Sequence, residues 1–259
     1  MFRNQKITDD IYYVGVNDRQ KAKFENLIPL YDGVSYNAYL IVDEKTALID
    51  TVDIHFGEIL IQKILSQLGD KGLDYLIINH MEPDHSGSLR LLRKYFPNMT
   101  IVGNERTLSM VKGFYEIDGS LLKVSDEESL SLGRHQLQFF LTPMVHWPET
   151  MMTFDHADKV LFSGDAFGSF GALNGSILDE NLDIDKYWDE MYRYYANIIG
   201  KYSSPVQKAI KKLEHLPYEI ICSTHGPVWK TNLKKAVEIY DRLSSFQAEE
   251  GVVIVYGSM

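Results

Sequence analysis

Short apolar and β-branched runs fill the first fifty residues, in "IYYVGV", "NAYLIVD" and "TALID", with Gly, Asp and Asn between them. Such runs bounded by turn residues predict strands. From Ile54 to Leu68, "IHFGEILIQKILSQL" places apolar residues at helical spacing, and the strand-like "YLIIN" follows. The alternation continues through "SLRLLRKYF" as helix, "TIVGN" as strand, "ERTLSMVKGF" as helix and "LLKVS" as strand. This is the pattern of helices packed on sheets. Between Leu130 and Phe162 the helical period disappears, and "LSLGRHQLQFFLTP", "MMTFDHADKV" and "KVLFSG" predict adjacent hairpin strands of a second sheet. Helical spacing returns in "KYWDEMYRYYANIIGKY" and "VQKAIKKLEHL", before a strand in "YEIICST" and a helix in "NLKKAVEIYDRLSSFQ". The predicted class is α/β, and 259 residues suit one large domain.

Composition narrows the function classes. The chain is 45% apolar and 24% charged, and no apolar run reaches the roughly 18 residues a bilayer span needs, so no membrane role is expected. The start, "MFRNQKITDD", carries no secretory pattern, which predicts a cytoplasmic protein. A formal charge of −10 without a basic patch argues against nucleic acid, and part of that charge can be metal-binding carboxylate. The single cysteine, Cys222, excludes an internal disulfide; in the apolar "EIICST" it reads as a buried, inert thiol.

The candidate metal ligands share one address. His80, Glu82, Asp84 and His85 follow the strand "YLIIN", His146 follows "FFLTPMV", Asp165 follows "VLFSG", and His225 follows "EIICST". Loops leaving strand ends on one rim of a sheet converge side chains from distant positions. An irregular turn spelling H-x-E-x-D-H can aim its side chains at two neighbouring points, so one loop can serve two metals. Four imidazoles and three carboxylates suit two ions sharing one bridging carboxylate. Without thiolates, this donor set suits iron or manganese, and iron is the first choice. His55, His135, His156 and His215 have no ligand-like neighbours and are expected to be solvated.

These residues carry a resemblance. "HMEPDH", "HWPETM", "LFSGDAFG" and "STHGPVW" resemble the four ligand segments of the metallo-β-lactamase-like diiron domain of flavodiiron proteins. "SYNAYLIVD" and "RYYANIIGKY" resemble further segments of that family, so the likeness runs along essentially the whole chain. Hydrolytic zinc members of the superfamily usually carry a histidine where this chain has Glu82, and the replacement marks the redox-active iron branch. The resemblance implies that His80, Glu82 and His146 hold one iron, that Asp84, His85 and His225 hold the other, and that Asp165 and a solvent-derived oxo or hydroxo group bridge them. In some family members the equivalent of His85 turns away. Tyr194 or Tyr195 resembles a tyrosine that lies beside the diiron pocket and can donate a hydrogen bond to oxygen species there, whereas Trp147 is expected to serve packing. The implied fold is a four-layer αββα sandwich with the site at one edge of the sheets. The implied assembly is a head-to-tail homodimer that brings the flavin of one chain near the irons of the other.

Residues 1–250 are expected to form this domain, and "GVVIVYGSM", Gly251 to Met259, resembles the first strand of a flavodoxin domain. Nine residues cannot enclose a flavin, so no bound FMN is expected. Two ferrous ions give two electrons, enough to take O2 to the peroxide level or to couple two NO molecules once. The expected role is therefore that of a diiron O2-binding protein, a redox or gas sensor whose change in iron state is read by a signalling partner. The alternative is an O2 or NO reductase supplied by a separate flavoprotein or rubredoxin. A zinc hydrolase of the wider superfamily is the third reading, disfavoured by Glu82.

Overall fold

The computed structural model describes residues 4–247 and 250–252. Its larger sheet has seven strands in the order Gln5–Lys6, Ile11–Tyr13, Tyr39–Val42, Thr46–Ile49, Tyr75–Ile77, Thr100–Gly103 and Leu121–Lys123. Neighbours are antiparallel up to Thr46–Ile49 and parallel beyond it. A parallel neighbour needs a crossover. The helices Gly57–Leu68, Leu89–Tyr95 and Glu105–Tyr115 lie in those three connections, as the switch to helical spacing after Asp50 predicts.

The second sheet runs Ser129–Ser131, Gln136–Leu141, Met151–Asp155, Val160–Gly164 and Ile220–Ser223. Its first four strands pair antiparallel, and the last lies parallel to Val160–Gly164 after the helices Ile184–Tyr194 and Ser203–Leu213. Contacts between the sheets tie them face to face. Tyr39 donates its hydroxyl to the Ser223 carbonyl (2.6 Å), Thr153 donates to the Asn79 side-chain oxygen (2.7 Å), and the Tyr39 and Phe162 rings lie 5.4 Å apart. Thr46–Ile49, Met151–Asp155, Val160–Gly164 and Ile220–Ser223 are buried along their whole length. Strands covered on both faces read as continuous apolar runs rather than alternating ones, which accounts for "TALID", "VLFSG" and "EIICST". The result is the expected four-layer αββα sandwich.

Two details differ from the sequence pattern. "KYWDEMYRYYANIIGKY" is not one regular helix: α geometry ends at Tyr194, a π stretch covers Tyr195–Ile199, and a 3-10 turn covers Gly200–Tyr202. A small hairpin, Lys23–Phe24 with Ile28–Pro29, was not foreseen because two-residue strands leave no periodic signal. The expected terminal strand, Gly251 to Met259, falls almost wholly outside the described residues.

Candidate metal centre

The site forms where the two sheets deliver their strand ends. Beyond Tyr75–Ile77, the Asn79 and His80 amides donate to Asp50 Oδ1 at 2.8 and 3.4 Å, which pins the chain as it enters "HMEPDH". That segment is not the irregular turn expected from its spacing. Pro83–Ser86 is a single helical turn with Pro83 at its first position, where a missing N–H costs nothing. The turn presents Asp84 and His85 together, while His80 and Glu82 precede it.

The seven predicted ligands meet in two adjoining clusters, and all seven are buried. In the first cluster, His146 Nε2 lies 3.1 Å from Glu82 Oε2 and 3.0 Å from Asp165 Oδ2. His80 Nε2 lies 3.2 Å from Glu82 Oε2 and 3.4 Å from Asp165 Oδ2. In the second, the Nε2 atoms of His85 and His225 stand 3.0 Å apart, and Asp84 faces them at 3.3 and 3.4 Å. Asp165 Oδ1 is 3.2 Å from His85 Nε2. Asp165 thus turns one oxygen to each cluster, as a bridging carboxylate must.

The donor chemistry fits a pair of cations. His80 Nδ1 donates to Glu149 Oε1 (2.9 Å) and His225 Nδ1 donates to the Ser35 carbonyl (2.7 Å), which directs both Nε2 lone pairs inward. Neither oxygen of buried Asp84 has a hydrogen-bond partner among the described residues. A buried carboxylate without a hydrogen bond is costly unless a positive charge compensates it. Without ions the cluster compensates itself with protons. Burial pulls His85 and His146 down, but the carboxylates around them prevail: Asp84 and Asp165 hold His85 at about 9, and Asp165 and Glu82 hold His146 at about 9. Against the effect of burial, His80, His85 and His146 drive Asp165 well below the carboxylate range, and His146 and His80 do the same to Glu82.

Tyr194 stands beside this centre, its ring 5.5 Å from that of His225 and its buried hydroxyl without a partner among the described residues. Burial, with Asp165 next, pushes that hydroxyl well above its ordinary pKa. Tyr195 does not share the position: its hydroxyl pairs with Ser203 Oγ (2.9 Å) and its ring packs on Tyr240, so the pair predicted from "YRYYAN" reduces to Tyr194. Trp147 packs its ring edge-on to His80 at 5.3 Å. A pocket of about 450 Å³, lined by Lys21, Phe24, Glu25, Asp53, Asp84 and Trp147, opens from the clusters. There a hydrogen bond to Glu82 pushes Glu25 up to about 7.

Sequence reasoning passed over Asp50, Glu149 and Ser35, each of which orients a ligand. Glu149 was visible only as the acidic residue in "HWPETM", between Pro148 and Thr150. Of the four histidines expected in solvent, His55, His156 and His215 are exposed, but His135 is fully buried. His135 pairs through Nδ1 with Asp155 (2.9 Å), and Arg134 lies 3.1 Å from its Nε2 while bridging Asp158 and Asp10. The guanidinium supplies the positive charge there, so this group is a structural knot. Cys222 is buried as expected, and burial raises its thiol pKa. No helix among the described residues is long and apolar enough to cross a membrane.

Paired His and carboxylate clusters at the edge of an αββα sandwich define a candidate two-metal site on a metallo-β-lactamase fold. Residues 34–226 match the family described as ODP family beta lactamase, and the chain belongs to that family. Over 257 residues it is 35% identical to the nitric oxide reductase of Moorella thermoacetica, an alignment that spans 98% of this chain and 64% of that protein. The flavodiiron protein of Giardia intestinalis superposes with a TM-score of 0.91 at 30% identity, covering 95% of this chain and 60% of that one. Rubredoxin oxygen:oxidoreductase from Desulfovibrio gigas superposes with a TM-score of 0.89 at 32% identity, covering 94% and 62%. The match is to the metallo-β-lactamase-like core of flavodiiron proteins, and the chain spans less than two thirds of these relatives.

Proposed function

We propose that the chain carries a non-haem diiron centre that binds and reduces NO or O2, with His80, Glu82 and His146 on one iron, Asp84, His85 and His225 on the other, and Asp165 between them. The observation that carries this reading is Asp165, which offers one oxygen to each of two clusters of inward-facing imidazole nitrogens. Glu82 and the lack of thiolate among the donors favour iron over zinc. The names of the Moorella and Desulfovibrio relatives support NO and O2 as substrates.

When bound, the irons supply two adjacent one-electron centres. The protein's own residues do the remaining work. Glu149 and Ser35 hold His80 and His225 in the liganding tautomer. The Tyr194 hydroxyl, without a partner among the described residues and with its ring 5.5 Å from that of His225, would donate a hydrogen bond to a species bound at the centre. Phe24 and Trp147 shield the centre, and Glu25 and Lys21 connect its mouth to solvent. A flavin or rubredoxin donor would supply the electrons, and the proposal includes a cytoplasmic homodimer.

Sensor and reductase roles make the same use of the site and differ in turnover. Protein loaded anaerobically with iron and reduced should convert NO by 2 NO + 2 e⁻ + 2 H⁺ → N2O + H2O, giving one N2O per pair of irons. Continued turnover with a reduced rubredoxin or flavoprotein identifies a reductase, and a single reaction followed by a stable product state identifies a sensor. Failure to consume either gas, together with hydrolysis of a thioester or lactam by the zinc-loaded protein, would overturn the diiron reading in favour of a hydrolase.

A further inference from the structure

The three histidines whose second ring nitrogen can be traced are not backed alike. His80 Nδ1 meets a carboxylate, Glu149. His225 Nδ1 meets a neutral backbone carbonyl, that of Ser35. His85 Nδ1 is buried and has no partner among the described residues. A carboxylate behind an imidazole draws on its N–H and makes the opposite nitrogen a stronger metal donor, whereas a carbonyl does so weakly and an empty position not at all.

Glu149 also joins the parts of one cluster. The oxygen that accepts from His80 accepts the Met81 amide as well (2.9 Å), next to Glu82 in the chain. Glu149 lies three residues after His146, and its own carbonyl is held by the Asn104 side chain (2.5 Å). One fully buried residue therefore fixes the segments bearing His80, Glu82 and His146. The other cluster differs: Asp84 faces His85 and His225 only at 3.3 and 3.4 Å, and both its oxygens and His85 Nδ1 lack hydrogen-bond partners among the described residues.

We infer that Glu149 is a positioning residue that makes the two metal positions unequal, so that the His80–Glu82–His146 position fills first and empties last. The inference rests on reading the seven residues as ligands. It concerns the order and strength of loading, which that reading leaves open.

The test uses the full chain stripped of metal by a chelator and titrated anaerobically with Co²⁺, followed by its visible absorption. Wild-type protein should take up two equivalents in two resolved steps. In Glu149→Gln the amide oxygen keeps both hydrogen bonds and loses the negative charge. The first step should weaken by about 10- to 100-fold while the second holds its affinity, so the steps merge. Glu149→Ala should weaken the first step at least as far, and thermal unfolding of the stripped variants checks the fold; if Glu149→Ala does not fold, Glu149→Gln decides. Two identical steps in wild-type protein, an unchanged first step in Glu149→Gln, or equal weakening of both steps overturns the inference. His80→Ala separates the two levels. If it loses the first step while Glu149→Gln does not, only the role of Glu149 is wrong; if it binds like wild type, the ligand reading itself fails.

Discussion

Raising the pH on metal-free protein should remove stability that metal-loaded protein keeps. His85 and His146 are lifted from 6.5 to about 9 in the fold by Asp84, Asp165 and Glu82, which outweigh the opposing effect of burial. A group with a raised folded pKa stabilises fully below its unfolded value, and that contribution disappears as pH climbs through the folded value. The window therefore runs from about 6.5 to just above 9. Each lift of this size corresponds to about 3 kcal/mol. Because both histidines share Asp165, the joint loss is nearer to one such contribution than to two. For a chain of this size, about 3 kcal/mol lowers Tm by roughly 6–12 °C. In loaded protein the same nitrogens must be deprotonated to coordinate, so loading releases protons and affinity grows with pH. Thermal unfolding of stripped and loaded protein across this range, with an indicator dye recording proton release at neutral pH, measures both effects. A stripped-protein Tm that stays flat across the window, or loading at pH 7 without proton release, would refute the reasoning.

Three further outcomes follow from single contacts. Tyr194→Phe should leave stability nearly unchanged, since its hydroxyl has no partner to lose among the described residues, yet slow the proposed reaction with NO or O2 by about a hundredfold, whereas Tyr195→Phe should cost about 1 kcal/mol through Ser203 and leave the rate alone. Gly226 has φ +76°, and a Cβ there would sit 2.1 Å from Ser169 Oγ. Gly226→Ala should therefore cost about 2 kcal/mol or more by thermal unfolding, and by displacing His225 it should weaken the second Co²⁺ step. Cys222, 1% exposed with its thiol pKa raised by burial, should resist thiol reagents until the chain unfolds, and rapid labelling of native protein would contradict its placement.

The sequence marked the candidate ligands better than what orients them. Each predicted ligand follows an apolar run that ends a strand, so seven residues between His80 and His225 could be gathered by the topology of the two sheets. Glu149 acts on His80 across 69 positions through one hydrogen bond, and no local pattern records such a contact. Asp50 was read only as the end of a strand, although its side chain holds the next strand's exit. Tyr194 and Tyr195 were told apart by their partners, His225 for one ring and Ser203 for the other hydroxyl, which adjacent positions of one aromatic run do not reveal. "PDHS" is too short for periodicity to mark, so a helical turn read as an irregular one. His135 looked solvated because its partner Asp155 lies across a hairpin rather than beside it.

The central claim is a pair of irons sharing Asp165. Anomalous X-ray scattering at the iron edge, from crystals of anaerobically iron-loaded protein, tests it most directly. Two peaks are expected, one against His80, Glu82 and His146 and the other against Asp84, His85 and His225, with Asp165 reaching both. A single peak, or iron bound only elsewhere on the chain, would contradict the account.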